Sequence, residues 1–283
     1  VRWNELRALA GSLDLGEPGS ARRPPRDNVV ALEEALGAGL RAEEFVLDLL
    51  ERQLDVALGG WETAGGRAVV PPVDEIRERG IVFRFSYWTP GSTALPHEHT
   101  SWTVNAVIQN TLLVTNYDWE TAERERRLKE RGVLLCTRGR TEHLYADAIH
   151  RVTNPTNRLA ASIHVFNSDD APVLAKRVGP IEGLVSAGPV PHWPVEKAAF
   201  EHEVKQWRQK LLLMHADVVG GFRSRRSLSL LERISALGDP LVKFVVAMTV
   251  KQIDAERSTT LLQELAEIAP EYEDREELVT VRS

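Results

Sequence analysis

The chain of 283 residues contains a single cysteine, Cys136. That excludes an intrachain disulfide scaffold and fits a reducing compartment. No window approaches the roughly eighteen consecutive apolar residues that a membrane-spanning helix needs. Excess positive charge is missing too: the net charge is -6, which gives nucleic acid or an anionic membrane little to bind. The glycine-rich patterns of dinucleotide and P-loop phosphate sites are also absent. The first residues, Val1-Arg2-Trp3-Asn4-Glu5-Leu6, lack the apolar core of a signal peptide, so the expected location is cytoplasmic. What is present is ordinary for a globular protein, 43% hydrophobic and 27% charged. This is enough for a sizeable core in one large domain, or in a core domain with an appendage.

Three segments are expected along the chain. Residues 1–75 read as an N-terminal helical segment packing on a barrel. A Gly/Pro/Arg-rich loop spans Gly16 to Arg26, and helices follow over 28–58, with Asp27 or Asn28 as a candidate cap. Residues 76–180 read as the barrel itself. Ile81, Phe83, Phe85 and Tyr87 alternate with Val82, Arg84, Ser86 and Trp88, the two-residue period of a strand. Further strands are expected at 101–109, 111–118, 132–137, 142–145, 148–153 and 159–166. Glu120, Glu123 and Glu125 interleave with Arg124, Arg126 and Arg127 as a charged surface hairpin. Short strands separated by turns suggest a mainly-β barrel or sandwich. Residues 190–283 read as a C-terminal helical region. Phe200, Val204, Trp207, Leu211 and Met214 recur there at helical spacing, and Leu228, Leu231, Ile234 and Leu237 mark a second helix.

Five of the eight histidines lie between residues 97 and 164. On a strand, His97 and His99 project to one face while Glu98 points away. His150, in Ile149-His150-Arg151-Val152-Thr153-Asn154, is a candidate third nitrogen ligand from a distant strand. Three neutral imidazoles suit a divalent first-row metal and leave positions open for substrate and dioxygen, but the donor set alone does not choose among Fe, Ni, Cu, Mn and Zn. No carboxylate stands four or five residues after the second histidine to join the imidazoles; Thr103 and Val104 are there. A site without a carboxylate keeps the full charge of the ion and favours an anionic substrate such as a thiolate.

The region from about residue 81 to 173 resembles the cysteine dioxygenase family of thiol dioxygenases, which are cupins. The likeness is carried, in order, by Phe85-Ser86-Tyr87-Trp88-Thr89-Pro90-Gly91, Pro96-His97-Glu98-His99-Thr100, Asn116-Tyr117-Asp118-Trp119, the His150 segment, and Ala161-Ser162-Ile163-His164-Val165-Phe166. It does not extend to the C-terminal helices. The resemblance implies a cupin-type barrel, an Fe(II) cofactor held by His97, His99 and His150, and oxygenation of a small substrate. It also implies a catalytic or supporting part for Ser162 and His164, and a wall formed by Trp88.

This chain departs from the family in three places. Phe166 stands where the family carries a tyrosine, and phenylalanine has no hydroxyl to donate. No cysteine follows the second ligand, where Trp102-Thr103-Val104-Asn105 runs instead. The family's substrate-carboxylate arginine has no clean counterpart, although Arg67, Arg77 and Arg79 are close in sequence. Arg84, sharing strand parity with Ser86 and Trp88, is the alternative anchor for a carboxylate. Arg84, Trp88, Asn105 and Phe166 are thus the candidate substrate contacts.

The leading expectation is an Fe(II)- and dioxygen-dependent oxygenase acting on a small thiol or amino-acid-derived substrate. Two other readings stay open. One is a three-histidine cupin that oxidises a non-thiol carbon or nitrogen centre. The other is a non-catalytic binding or sensor cupin whose helical tail meets a partner. The expected partners are substrate and dioxygen, with no nucleic acid or membrane, and homo-oligomers could form through the C-terminal helices.

Overall fold

The computed structural model describes residues 1–16, 23–59, 62–64, 67–69, 71–122, 125–146, 148–168, 173–174, 197–270 and 272. The loop at 17–22 and the tip of the charged hairpin at 123–124 lie outside these residues. Along the chain come α1 (Trp3–Ser12), α2 (Arg26–Leu40), α3 (Glu43–Gly59), β1 (Glu62–Ala64), β2 (Arg67–Val69), β3 (Asp74–Ile76), β4 (Ile81–Trp88), β5 (His97–Glu98) and β6 (Thr103–Gln109). Then follow β7 (Thr111–Ala122), β8 (Glu125–Thr137), β9 (Thr141–Leu144), β10 (Ile149–Thr153), β11 (Ala160–Asn167), β12 (Val173–Leu174), α4 (Lys197–Gly220), α5 (Arg225–Leu237), α6 (Pro240–Val250) and α7 (Ala255–Ile268). Two compact units result: Val1–Leu49 with Pro71–Trp193, and Leu50–Val70 with Pro194–Ser283. Helices hold more of the described residues than strands do, but the candidate site lies in the β barrel.

In the first unit, two five-stranded antiparallel sheets face each other, ordered β12-β5-β10-β7-β8 and β3-β4-β11-β6-β9. Strands distant in sequence sit side by side, β4 against β11 and β5 against β10. This interleaving makes a jelly roll, the cupin-type barrel. Period-two alternation sends one set of side chains inward. Val107, Leu112, Val114, Cys136, Val152 and Ala160 form an apolar cluster there. Along the same face of β10, two residues from Val152, comes His150. Asn110, at φ 61°, makes the tight connection from β6 to β7, a conformation asparagine tolerates better than most residues.

Helix α1 anchors the barrel's flank. Trp3 is buried against Phe45 and Phe83, with ring centroids 5.9 and 5.1 Å away. Its indole N–H donates to Asp74 at 3.0 Å, so burial leaves no unpaired donor. Helix α2 starts at Pro25 with no side-chain cap. Asp27 lies in its first turn, and Asn28 donates instead to the Asp14 carbonyl at 2.9 Å. Strands β7 and β8 run well beyond the expected 111–118 and 132–137. Backbone pairing continues through the charged stretch, where Lys129 meets Glu120 at 2.9 Å.

The second unit is built on helices α4 to α7. Leu211, Leu212, Ala216, Val219, Leu231, Ile234, Val242, Val246 and Leu265 are buried. Ser224, Asp239 and Asp254 cap the starts of α5, α6 and α7, each satisfying an otherwise orphaned backbone N–H. Trp207, expected on the buried stripe of α4, is 38% exposed and carries the Lys210 ammonium 4.7 Å from its ring centre. The buried face of α4 turns instead through Leu211, Leu212, His215, Ala216 and Val219. The side chain of Phe200 lies outside the described residues. No helix among the described residues is long and apolar enough to cross a membrane.

Candidate metal centre

His97 on β5 and His150 on β10 are direct cross-strand partners in an antiparallel pair, so their side chains leave the sheet on the same side. His99 follows two residues after His97. Ring centroids lie 4.3 Å apart for His97 and His150, 5.1 Å for His99 and His150, and 5.3 Å for His97 and His99. One nitrogen from each ring falls within 4.8 Å of the other two. His150 is 2% exposed; the other two rings are half-buried.

The electrostatics suit a metal. Burial, followed by the neighbouring His97 and His99, holds the His150 imidazole well below its ordinary pKa, so it stays neutral, the form that ligates. Nδ1 of His97 pairs with the Leu95 carbonyl at 2.9 Å. That bond fixes the ring and leaves Nε2 as the nitrogen to face an ion. Nδ1 of His150 is buried and has no hydrogen-bond partner among the described residues, a costly state for a polar atom inside a protein. A buried imidazole with an orphaned ring nitrogen beside two more, with no carboxylate in the group, is a donor set fit for one divalent metal ion.

The cluster faces a cavity of about 470 Å³. Val82, Arg84, Ser86 and Trp88 of β4 all line it, because even-numbered residues of that strand point inward. Phe166, on the opposite side of β11's pairing with Val82, also forms part of the wall. The Arg84 guanidinium lies 5.9 Å from the Phe166 ring centre, and among the described residues no hydrogen bond or ion pair engages it. Glu75 reaches the same cavity but is paired with Arg77 at 3.2 Å. Arg79 donates to the Leu13 carbonyl at 2.8 Å. Among the described residues Arg84 is therefore a cation of the cavity without an ion-pair partner.

A chain of hydrogen bonds runs behind this wall. Trp88 Nε1–H donates to Ser162 Oγ at 2.8 Å. Ser162 Oγ lies 2.8 Å from His164 Nε2, and His164 Nδ1 lies 2.7 Å from Asn105 Oδ1. Thr103 donates to the same Asn105 oxygen at 3.0 Å. His164 reaches the cavity surface, but both of its nitrogens are engaged. Burial first, then His99, His97 and Arg84, lower its pKa to about 3. Asn105, expected as a substrate contact, sits one layer back. It lines a smaller void with Cys136 and Glu142 instead of the main cavity, because its oxygen is turned to His164 and Thr103.

The remaining candidates serve elsewhere. His143 pairs with Glu33 of α2 at 2.6 Å. Burial, then Glu142, pushes the Cys136 thiol up to about 11, which marks it as a packed residue and not a nucleophile. Several contributors had no clear sequence signal. Glu75 sits on a strand only three residues long. Thr103 and Ser168 are ordinary polar residues at strand ends. Ser86 and Val82 were readable through their shared parity with Arg84. Asn154, fully buried, ties the segment after His150 to the end of β4 by donating to the Trp88 carbonyl at 2.8 Å.

No protein-family profile and no curated protein matches this chain. Among solved structures it is similar to a recombinant oxalate oxidase in complex with glycolate, at 23% identity over 32% of this chain and 43% of that one, TM-score 0.26. Another oxalate oxidase structure with glycolate matches at 20% identity over 50% of this chain and 65% of that one, TM-score 0.27. A cupin superfamily protein from Desulfitobacterium hafniense matches at 8% identity over 31% of this chain and 66% of that one, TM-score 0.24. The chain thus spans under half the length of the first of these proteins. Overlaps this partial carry no weight for function. The cupin-type assignment stands on the strand order and on three histidines gathered inside the barrel, which fit a metal-dependent cupin.

Proposed function

We propose that this protein is a non-haem Fe(II) oxygenase of the cysteine dioxygenase-like kind, acting on a small anionic thiol or amino-acid-derived substrate. The observation that carries the proposal is the cluster of three imidazoles, with no carboxylate in the group, in a cavity that also holds Arg84, unpaired among the described residues. His97, His99 and His150 would hold the ion. Bound there, it would supply a Lewis-acidic centre with open positions for a substrate atom and dioxygen.

The chain's own residues do the rest. Arg84 donates paired hydrogen bonds to a substrate carboxylate, a geometry its planar fork favours. Phe166 lies beneath the guanidinium and narrows its freedom. Val82, Val152 and Trp88 give the cavity apolar walls that exclude water from the reacting group. With no acidic side chain among the metal's ligands, the site keeps a positive potential that draws an anion inward.

Oxygen uptake by the Fe(II)-loaded protein, prepared anaerobically and presented with matched thiols and non-thiol amino acids, tests this. Uptake confined to thiols supports the proposal. Uptake with non-thiols alone supports oxidation of a carbon or nitrogen centre, a reading favoured by Phe166 in place of a tyrosine and by the lack of a cysteine after the second ligand. Stoichiometric iron with no uptake across the panel overturns both and leaves a binding protein.

A further inference from the structure

The hydrogen bonds behind the cavity have a direction, which follows from what each atom is able to do. Trp88 Nε1 only donates, so Ser162 Oγ accepts from it. Asn105 Oδ1 only accepts, so the proton between it and His164 belongs to Nδ1. Nε2 of a neutral ring is then a bare lone pair, and the Ser162 hydroxyl donates to it across 2.8 Å. Thr103 completes the set by donating to the same amide oxygen. Each of these four donors, on Trp88, Ser162, His164 and Thr103, has an acceptor. Turning the Asn105 amide over would place its NH2 against His164 Nδ1 and move the ring proton to Nε2. The Ser162 hydroxyl would then lose its acceptor among the described residues, at the cost of a buried unmet donor.

We propose that Asn105 is a positioning residue of this site: it holds His164 in the Nδ1–H tautomer and, through Ser162, fixes the Trp88 indole as a cavity wall. The arrangement also withdraws His164 from proton exchange with substrate, since both nitrogens are occupied. The cavity's other ionisable groups are the three candidate ligands, Arg84, and Glu75, which Arg77 holds. No uncommitted base therefore lines the cavity among the described residues. Taken with the proposed oxygenase activity, on which this step rests, that favours a substrate whose reacting group ionises readily by itself. A thiol, with a pKa of about 8.5, does so far better than an alcohol or a carbon acid.

The tautomer is read on the metal-free full chain, so it is decided independently of whether oxygen uptake is ever found. With histidine labelled in nitrogen-15, long-range proton–nitrogen spectra should show, besides the Nδ1–H pattern that the Leu95 carbonyl imposes on His97, a neutral Nδ1–H ring that disappears in H164Q. Asn105→Asp keeps an acceptor at the same place and should keep that tautomer. Asn105→Leu removes the acceptor. It should abolish the pure Nδ1–H pattern and shift the Trp88 indole N–H signal, identified by its loss in W88F. A wild-type His164 ring protonated on Nε2 overturns the proposal without need of any variant. So does an Asn105→Leu protein whose His164 and Trp88 signals stay where they were.

Discussion

In the β-barrel unit His164 is half-buried beside Ser162, Asn105 and the imidazole cluster. In the helical unit His215 is fully buried on α4, its Nε2 at 2.7 Å from the Leu50 carbonyl. Burial is the leading cause of a lowered pKa in both, to about 3 for His164 and about 4 for His215. Desolvation of the charged form acts on any imidazole taken out of water, so a depressed pKa does not by itself mark a functional site. The surroundings make the difference. His164 sits beside other imidazoles, a cavity and an arginine with no ion pair among the described residues. His215 is surrounded by Leu211, Leu212 and Val219, and its hydrogen bond is to a backbone carbonyl. One histidine belongs to a site and the other to a core.

The largest effect that could break this contrast concerns the metal. His150→Ala should abolish stoichiometric metal in anaerobically purified protein, while His215→Gln should leave it unchanged. Equal loss in both variants would erase the distinction. Next comes acid stability. The folded pKa of His215 lies below its unfolded value near 6.5, so the stabilisation is complete above that pH, where both states are neutral. It is lost as pH falls from about 6.5 to about 4, where the unfolded chain takes up the proton first. The loss is on the order of 3 kcal/mol. Denaturant titrations from pH 7 to 4 should therefore show a shallower decline for His215→Gln than for wild type; parallel curves would refute it.

Arg84→Ala should weaken binding of a carboxylate-bearing thiol about tenfold, equivalent to roughly 1.4 kcal/mol. Binding of the corresponding uncharged amide should barely change. Calorimetry that finds no difference between the two ligands would remove Arg84 as the anchor. Smallest is Asp254→Ala, which removes the cap of α7 and should cost about 1 kcal/mol of stability with no change in metal content. A fall in bound metal would mean that the helical unit affects the site.

Much of the barrel was legible because burial on one side imposes a period of two. The alternation in residues 81–88 identified β4, and its even positions do line the cavity. The two histidines of Pro96-His97-Glu98-His99 and the distant His150 were likewise readable as a donor set. Less was legible where backbone pairing alone decides. The charged residues of β7 and β8 read as a surface hairpin beyond strands ending at 118 and starting at 132, yet the strands themselves continue through it, because a ladder of N–H and C=O groups needs no apolar side chain. β3, with three residues, is too short to show a period. Helical spacing pointed to Trp207 as buried, but a helix buries whichever face its neighbours offer, and that face begins four residues later at Leu211.

From the sequence alone came the chemistry of the donors: three imidazoles, no acid four or five residues after the second, a phenylalanine where a hydroxyl would be expected, and an arginine on the inward parity of its strand. Only the tertiary structure set His97 opposite His150, left Arg84 with no ion pair among the described residues, and turned Asn105 away from the main cavity toward His164. Alternation along a strand is a local property, written in consecutive residues. Which strand lies beside which, and in what register, is chosen when two sheets bury their inner faces together, and that choice decides which side chains meet.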